Sequence, residues 1–201
     1  MIALTVLLAA GCKKHQGTQT TPHGNDILLS REGIASHGGG GQHRCPSQTG
    51  EGDIKLTFTN GKKRVKGQCR GGLMVDDWTA WYDNGAVVWK ATFKDGLLHG
   101  DFKSFWANDK KMARVEYAEG LANGDFKAWW FNGEKQAEGK YGGGKKQGCW
   151  ETWHDNGQKA TKGTYADDQQ VLTWLKWTPS GEKSKQELGG SATDGKCMIT
   201  F

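Results

Sequence analysis

At 201 residues the chain is sized for one domain, or for one short repeat array with appendages. Glycine is abundant at 31, proline scarce at 3 and apolar content only 35%, yet there are 10 tryptophans. That balance argues against a thick helical core and suits thin β structure, in which glycine makes the corners and aromatic rings supply most of the buried area. The net charge of +5 gathers at the N-terminal end, where residues 13–70 hold ten Lys/Arg against four Asp/Glu, while residues 71–201 hold seventeen against eighteen.

Residues 1–12, "MIALTVLLAAGC", form an apolar run closed by small residues and a cysteine. This is the pattern of an export signal and its cleavage site. The run is too short to cross a bilayer as a helix. Ala9-Ala10-Gly11-Cys12 resembles the lipobox of bacterial lipoproteins, which implies lipidation at Cys12. The other reading is a buried N-terminal strand. Export leaves Cys45, Cys69, Cys149 and Cys197 in an oxidising compartment, where four cysteines allow three pairings. Their positions at the two ends of the repeats described below favour Cys45–Cys69 and Cys149–Cys197, one staple per end. A zinc site is the alternative, but the chain has no C-x2-C pair to build it.

Residues 13–50 read as a tether rich in Gly, Thr, Ser, Gln and His, with one apolar cluster at Ile27-Leu28-Leu29. Too little apolar surface is present to offset the entropy of ordering. His15, His23, His37 and His43 are irregularly spaced, so a solvated tether is preferred over metal capture. Next comes a basic run, Lys62, Lys63, Arg64, Lys66 and Arg70. It is either a solvated edge or a contact for anionic headgroups near the anchor, where each cation contributes about 1 kcal/mol.

Residues 51–185 repeat with a period of 24. The turn position, taken as zero, holds Gly61, Gly85, Asp109, Gly133, Gly157 and Gly181. Seven residues earlier stand Ile54, Trp78, Phe102, Phe126, Trp150 and Trp174; four earlier, Thr57, Trp81, Phe105, Trp129, Trp153 and Trp177. Eight later come Cys69, Phe93, Tyr117, Tyr141, Tyr165 and Gly189. Each unit reads as two antiparallel strands. The Asn-Gly pairs at 60–61, 84–85, 132–133 and 156–157 predict type I′ turns, in which both central residues need positive φ. After the turn, positions +2, +4, +6 and +8 (Val87, Trp89, Ala91 and Phe93 in the second unit) predict a strand with one buried face. Small residues at +6 (Gly67, Ala91, Gly139, Gly163) leave room for a ring from the next strand. Glycines at +11 and +15 are expected to turn the chain back. Positions −7 and −4 have opposite parity, so either a bulge re-aims one or the sheet carries rings on both faces. Residues 186–201 are left as a C-terminal tail.

With "HGDFKSFWANDKKMARVEYAEGLANG" and "NGDFKAWWFNGEKQAEGKYGGGKKQG" as its clearest copies, this array resembles the bacterial variant of the MORN-repeat family over residues 52–185. The resemblance implies an all-β fold: an elongated, single-layer antiparallel sheet of stacked β-hairpins. It also implies an interaction or scaffold role, sometimes at membranes, with some antitoxin-like relatives. It carries over no catalytic residues.

Gly139–Lys145 fits the G-x4-G-K pattern of a phosphate loop, but Lys146 stands where Ser or Thr would hold magnesium, and both glycines are repeat columns. His99 and His154 lie in different units without triad-like partners. Paired carboxylates of glycosidase type stay open, though the acids fall mostly in repeat turns. The sequence therefore predicts a non-enzyme with no cofactor. Its expected role is to bind or scaffold an envelope protein, tethered to the membrane through the lipid on Cys12 and exported. A second reading is a glycan or cell-wall module that stacks its ligand on an exposed ladder at −3 (Tyr82, Trp106, Trp130, His154); the alternative is that these rings cover one another. A third, if the signal is spurious, is a cytoplasmic antitoxin-like protein. Nucleic acid is not expected, because the basic excess lies off the aromatic units.

Overall fold

The computed structural model of the protein describes residues 41–46, 50–191 and 197. Cys12, His15, His23, His37 and the Ile27–Leu29 cluster lie outside the described residues. All described residues belong to one compact unit, 38–201. Twelve strands form one antiparallel sheet in strict sequence order: β1 (Gly52–Thr57), β2 (Lys63–Arg70), β3 (Leu73–Trp81), β4 (Val87–Lys94), β5 (Leu97–Phe105), β6 (Lys111–Ala118), β7 (Leu121–Trp129), β8 (Lys135–Gly142), β9 (Lys145–Trp153), β10 (Lys159–Ala166), β11 (Gln169–Trp177) and β12 (Lys183–Glu187). The all-β hairpin array read from the period is the fold observed: six hairpins, one per unit.

The turns differ from expectation in kind. The Asn-Gly pairs do not make type I′ turns. Gly61 N–H donates to the Phe58 carbonyl at 2.9 Å, and Phe58 N–H to the Lys62 carbonyl at 2.8 Å. Only the turn position is left-handed (Gly85 φ 96°, Asp109 φ 62°), not the asparagine before it. This is a three-residue loop, a type I turn closed by a left-handed residue. The side chain of the asparagine closes it further: Asn84 Oδ1 accepts from Ala86 N–H at 2.9 Å. The two-residue turns sit at the opposite edge, at +10 and +11, where both residues have positive φ (Asp95 50°, Gly96 78°). The +15 positions make no corner either. They lie inside β3, β5, β7, β9 and β11, where three residues of one strand face a single residue of its neighbour; Asp76–Trp78, for example, face Gly67. His99 is accordingly an exposed residue of β5. The Asn-Gly signal is ambiguous because glycine is left-handed in both turn types, and loop length decides between them.

That wide bulge positions the core. It lays the −7 ring of each hairpin on the +6 residue of the preceding one. A Cβ built on Gly67 would stand 2.0 Å from the Trp78 ring; on Gly139, 2.3 Å from Trp150; on Gly163, 2.1 Å from Trp174. Where the ring is smaller the partner grows, with Ala91 against Phe102 and Val115 against Phe126. The +8 rings close the inner face edge-on: Phe93 against Trp78 at 6.4 Å, Tyr165 against Trp174 at 5.1 Å. Trp78, Phe102 and Trp174 end up almost wholly buried although the sheet is a single layer. Trp89, Ala91 and Phe93 share this face as expected, but Val87 is only half-buried. An extra residue at +3 (Arg64, Val88, Met112, Gln136, Ala160) shifts the register in the first five hairpins and takes +2 out of line. The parity question is thereby answered: bulges are present, and rings also occupy both faces.

Both disulfides are formed, Cys45–Cys69 and Cys149–Cys197. Cys69 holds the buried +8 place that Phe or Tyr fills in the middle units. The tether ends earlier than its composition indicates. His43 N–H donates to Gly96 at 2.7 Å, Cys45 N–H to Gly72 at 3.0 Å, and the His43 carbonyl accepts from Met74 N–H at 3.1 Å. The His43 ring packs edge-on against Phe93. Beyond the array's expected limit at 185, β12 runs to Glu187, and Leu188 N–H bonds the Leu172 carbonyl. All five β12 residues are polar and exposed, which protects this sheet edge from pairing with another chain.

The ring-on-glycine contact is open to a direct test. Gly163→Ala is expected to lower stability by about 1–3 kcal/mol in denaturant titrations, because the methyl group overpacks the Trp174 ring. Adding Trp174→Phe reproduces the Ala91–Phe102 pairing, so the double variant loses less than the sum of the two singles. A Gly163→Ala variant as stable as the parent would contradict the packing described.

Candidate functional site

The ring column proposed as a ligand ladder links neighbouring hairpins. Tyr82 Oη donates to the Phe105 carbonyl at 3.0 Å, Trp106 Nε1 to Trp129 at 3.2 Å and Trp130 Nε1 to Trp153 at 3.1 Å; His154 Nε2 lies 2.9 Å from the Trp177 carbonyl. Each bond reaches 23 residues ahead, from a half-buried ring to the next hairpin. The asparagines run a second ladder beside it. Asn84, Asn108, Asn132 and Asn156 donate through Nδ2 to Ala107, Phe131, Asp155 and Pro179. These residues lace the three-residue turns into one edge. Phe131, 58% exposed, packs edge-on against Trp106 there, with ring centres 5.8 Å apart.

The opposite, outer face carries the residues that remain available. Positions −8, −6 and −4 alternate with the −7 and −5 positions of the inner face. The −4 rings Trp81, Phe105, Trp129, Trp153 and Trp177 are half-buried. They form a row with one ring per hairpin, two strand spacings apart, roughly 9.5 Å. Lysines at +2 sit over them: Lys63 over Trp81 at 5.9 Å, Lys111 over Trp129 at 5.6 Å, Lys135 over Trp153 at 4.6 Å and Lys183 over Trp177 at 5.9 Å. At the centre, a groove of about 420 Å³ is lined by Asp101, Lys103, Phe105, Lys111, Arg114 and Trp129.

Farther from the turns this face is a lattice of ion pairs. Arg114 meets Asp101 at 2.8 Å and Glu116 at 3.3 Å, and Lys103 meets Asp101 at 3.1 Å. Burial works to raise the Asp101 pKa, but hydrogen bonds from Arg114 and Lys103 outweigh it and hold the carboxyl below its ordinary value. Glu151 behaves alike: burial is outweighed by Lys159 at 2.6 Å and Lys162 at 3.0 Å. On the inner face, Lys146 occupies the column of Met74 and Leu98, with its ammonium 4.6 Å from the Trp150 ring and 4.9 Å from Tyr165. Burial lowers its pKa, and Asp168 opposes that in part.

The basic run does not gather into one patch. Lys62 follows a three-residue turn, Lys63 and Arg64 open β2, Lys66 is in its middle and Arg70 at its far end, so the five cations span roughly 26 Å of chain. Lys63 joins the ring row instead. Gly139–Lys145 is the end of β8, a two-residue turn and the first residue of β9, with no helix following. Among the described residues no group of three or more His, Cys, Asp or Glu is placed to hold a metal ion. The lysines at +2 are what the sequence reading missed. Lys63, Lys111, Lys135, Lys159 and Lys183 recur at the repeat period, so tabulating that column beside −4 would have found them.

Residues 146–167, the bulk of the fifth hairpin, match the MORN repeat variant model. The chain thus carries a repeat of that kind, set within six hairpins of common register. Comparison with curated proteins returns no match.

Two measurements probe this geometry. Asn132→Ala removes both the bond within the turn and the bond to the next hairpin, and is expected to cost about 1–2 kcal/mol in chemical denaturation. Asn60→Ala removes only the bond to Lys62 N–H and is expected to cost less; equal losses would argue against the ladder. Glu151 contributes stability through a depressed pKa, so that contribution is present above the ordinary glutamate value, about 4.3, and is lost as pH falls below it. The melting-temperature gap between the parent and Glu151→Gln is therefore expected to be widest near neutrality and to close in acid. A gap that stays constant with pH would show that the charge is not responsible.

Proposed function

We propose that the protein is a non-enzymatic binding module held at a bacterial cell envelope by a lipid on Cys12, with the outer face of its sheet turned to a partner. The carrying observation is the asymmetry of the two faces. Rings on bare glycine backbone seal the inner face, while the outer face keeps half-exposed rings and charges in a 24-residue rhythm. Stacked repeats of this kind offer long continuous surfaces for recognition, and a protein partner is the first reading. The outer-face charges are largely committed to ion pairs with one another, an arrangement that suits shape and charge recognition better than proton transfer. Two disulfides at the ends of the array fit an oxidising compartment, in keeping with export. Among the described residues no helix is long and apolar enough to cross a membrane.

A second reading, a glycan ligand, is favoured by the row of rings at −4. It moves the ligand from the −3 residues Tyr82, Trp106 and Trp130 to the column beside them.

Labelled palmitate is expected to enter the parent protein and not Cys12→Ala, which moves to the soluble fraction. Equal labelling and partition of the two would sink the anchor. A photo-crosslinker at Lys127, exposed on the outer face, is expected to capture a membrane-associated partner. Capture only from the inner face would sink the assignment of the surface.

A further inference from the structure

Resting on the reading of the outer face as the binding surface, we propose that this face binds an acidic polysaccharide laid across the strands. Its sugars stack along Trp81, Phe105, Trp129, Trp153 and Trp177, and its acidic groups meet the +2 lysines that have no carboxylate partner among the described residues, Lys63, Lys111 and Lys183. Three observations carry this.

The first is spacing. One ring per hairpin gives a row with a step of roughly 9.5 Å. In an extended β-1,4-linked chain each sugar is flipped relative to the last, so the same edge returns at every second sugar. A row with one ring per hairpin reads a disaccharide repeat of that length, and each further hairpin adds one more repeat of ligand.

The second is charge. Among the described residues, Lys63, Lys111 and Lys183 meet no carboxylate; each is held only by a ring, at 5.6–5.9 Å from its centre. That is close to the outer limit of an effective cation–π contact, about 6 Å. Such an ammonium can swing to an acidic group at little loss and leave the ring free to stack. The acids beside this row are already paired: Glu138 with Lys135, Glu151 with Lys159 and Lys162, and Asp101 with Arg114 and Lys103. The cations left over on the ring-bearing edge are therefore Lys63, Lys111 and Lys183.

The third is shape. The central groove, about 420 Å³, has two aromatic walls, Phe105 and Trp129, and a rim holding both donors and an acceptor: Lys103, Lys111, Arg114 and Asp101. Apolar walls take the face of a sugar ring, and a mixed rim takes its hydroxyls and carboxylate. A plain polyanion uses the cations and leaves the rings unused. A neutral glycan uses the rings and leaves the lysines unused.

The test uses the full, disulfide-intact chain at low salt, with tryptophan fluorescence and calorimetry. The probes are a hexamer of β-1,4-linked mannuronic acid, the neutral hexamer of β-1,4-linked glucose, inorganic polyphosphate and a single-stranded oligonucleotide. The acidic hexamer is expected to bind at least about tenfold tighter than each of the other three, a gap of 1.4 kcal/mol. The exposed double variant Lys63→Ala/Lys111→Ala is expected to weaken it by about tenfold while keeping the parent melting temperature. Trp129→Leu is expected to abolish the fluorescence change. Polyphosphate or the oligonucleotide binding as tightly as the acidic hexamer overturns the proposal in favour of general anion binding. Unchanged affinity in the double-lysine variant overturns it too, and so does failure of every probe to bind. If Lys127 crosslinks a protein in membranes while no glycan binds, the proposed scaffold role survives and this inference does not.

Discussion

The fold depends on one contact, the indole of one hairpin lying flat on the bare backbone of the hairpin before it. A single-layer sheet has no second layer to cover its apolar face. Trp150 over Gly139 and Trp174 over Gly163 solve this by making each ring the lid of the neighbouring strand. The contact needs glycine beneath and a bulge above, and both recur at the repeat period. Its tolerance is narrow: Phe102 and Phe126 lie over Ala91 and Val115, so volume is conserved across the pair rather than at either position.

Two lacings along the edges support this core. At the three-residue turns, side chains do the work, as ring and asparagine donors reach carbonyls 23 residues ahead. At the two-residue turns the backbone does it. Gly96, Gly120 and Gly144 N–H groups bond the Met74, Leu98 and Ala122 carbonyls of the preceding unit. Each hairpin is thus held on three lines by its neighbours. At the N-terminal end, which lacks one neighbour, Cys69 fills the +8 column and is tied to Cys45; Cys149, in the fifth hairpin, is tied to Cys197, whose N–H donates to the buried Thr164 hydroxyl at 3.2 Å.

Much of this was legible in the chain. Small residues at +6 gave the close approach of a ring, because side-chain volume is written in residue identity, while the face taken by the −7 column was left open by its parity with −4. Pairing of the cysteines followed from their position relative to the array. The turns were misjudged at Asn84-Gly85, because the pair fits two loop lengths and only the count of residues between paired strands separates them. Gly100 and Gly124 were misjudged for a related reason: a glycine inside a strand and one at a corner both answer a need for positive φ.

The candidate surface divides along the same line. By itself the sequence determined the period, the hairpin unit and the buried face of the return strand, because each is a local property repeated in register. Only the tertiary structure decided which ring column is engaged and which is free. Tyr82, Trp106 and Trp130 carry a polar atom that finds a carbonyl one hairpin away, whereas Trp81 and Trp129, in the column one position earlier, lie on the outer face beside lysines brought to them by the neighbouring hairpin. Adjacent residues on a strand point to opposite sides, and bulges reset which side that is. Periodicity marks both columns equally, and their fates separate only once the hairpins are paired.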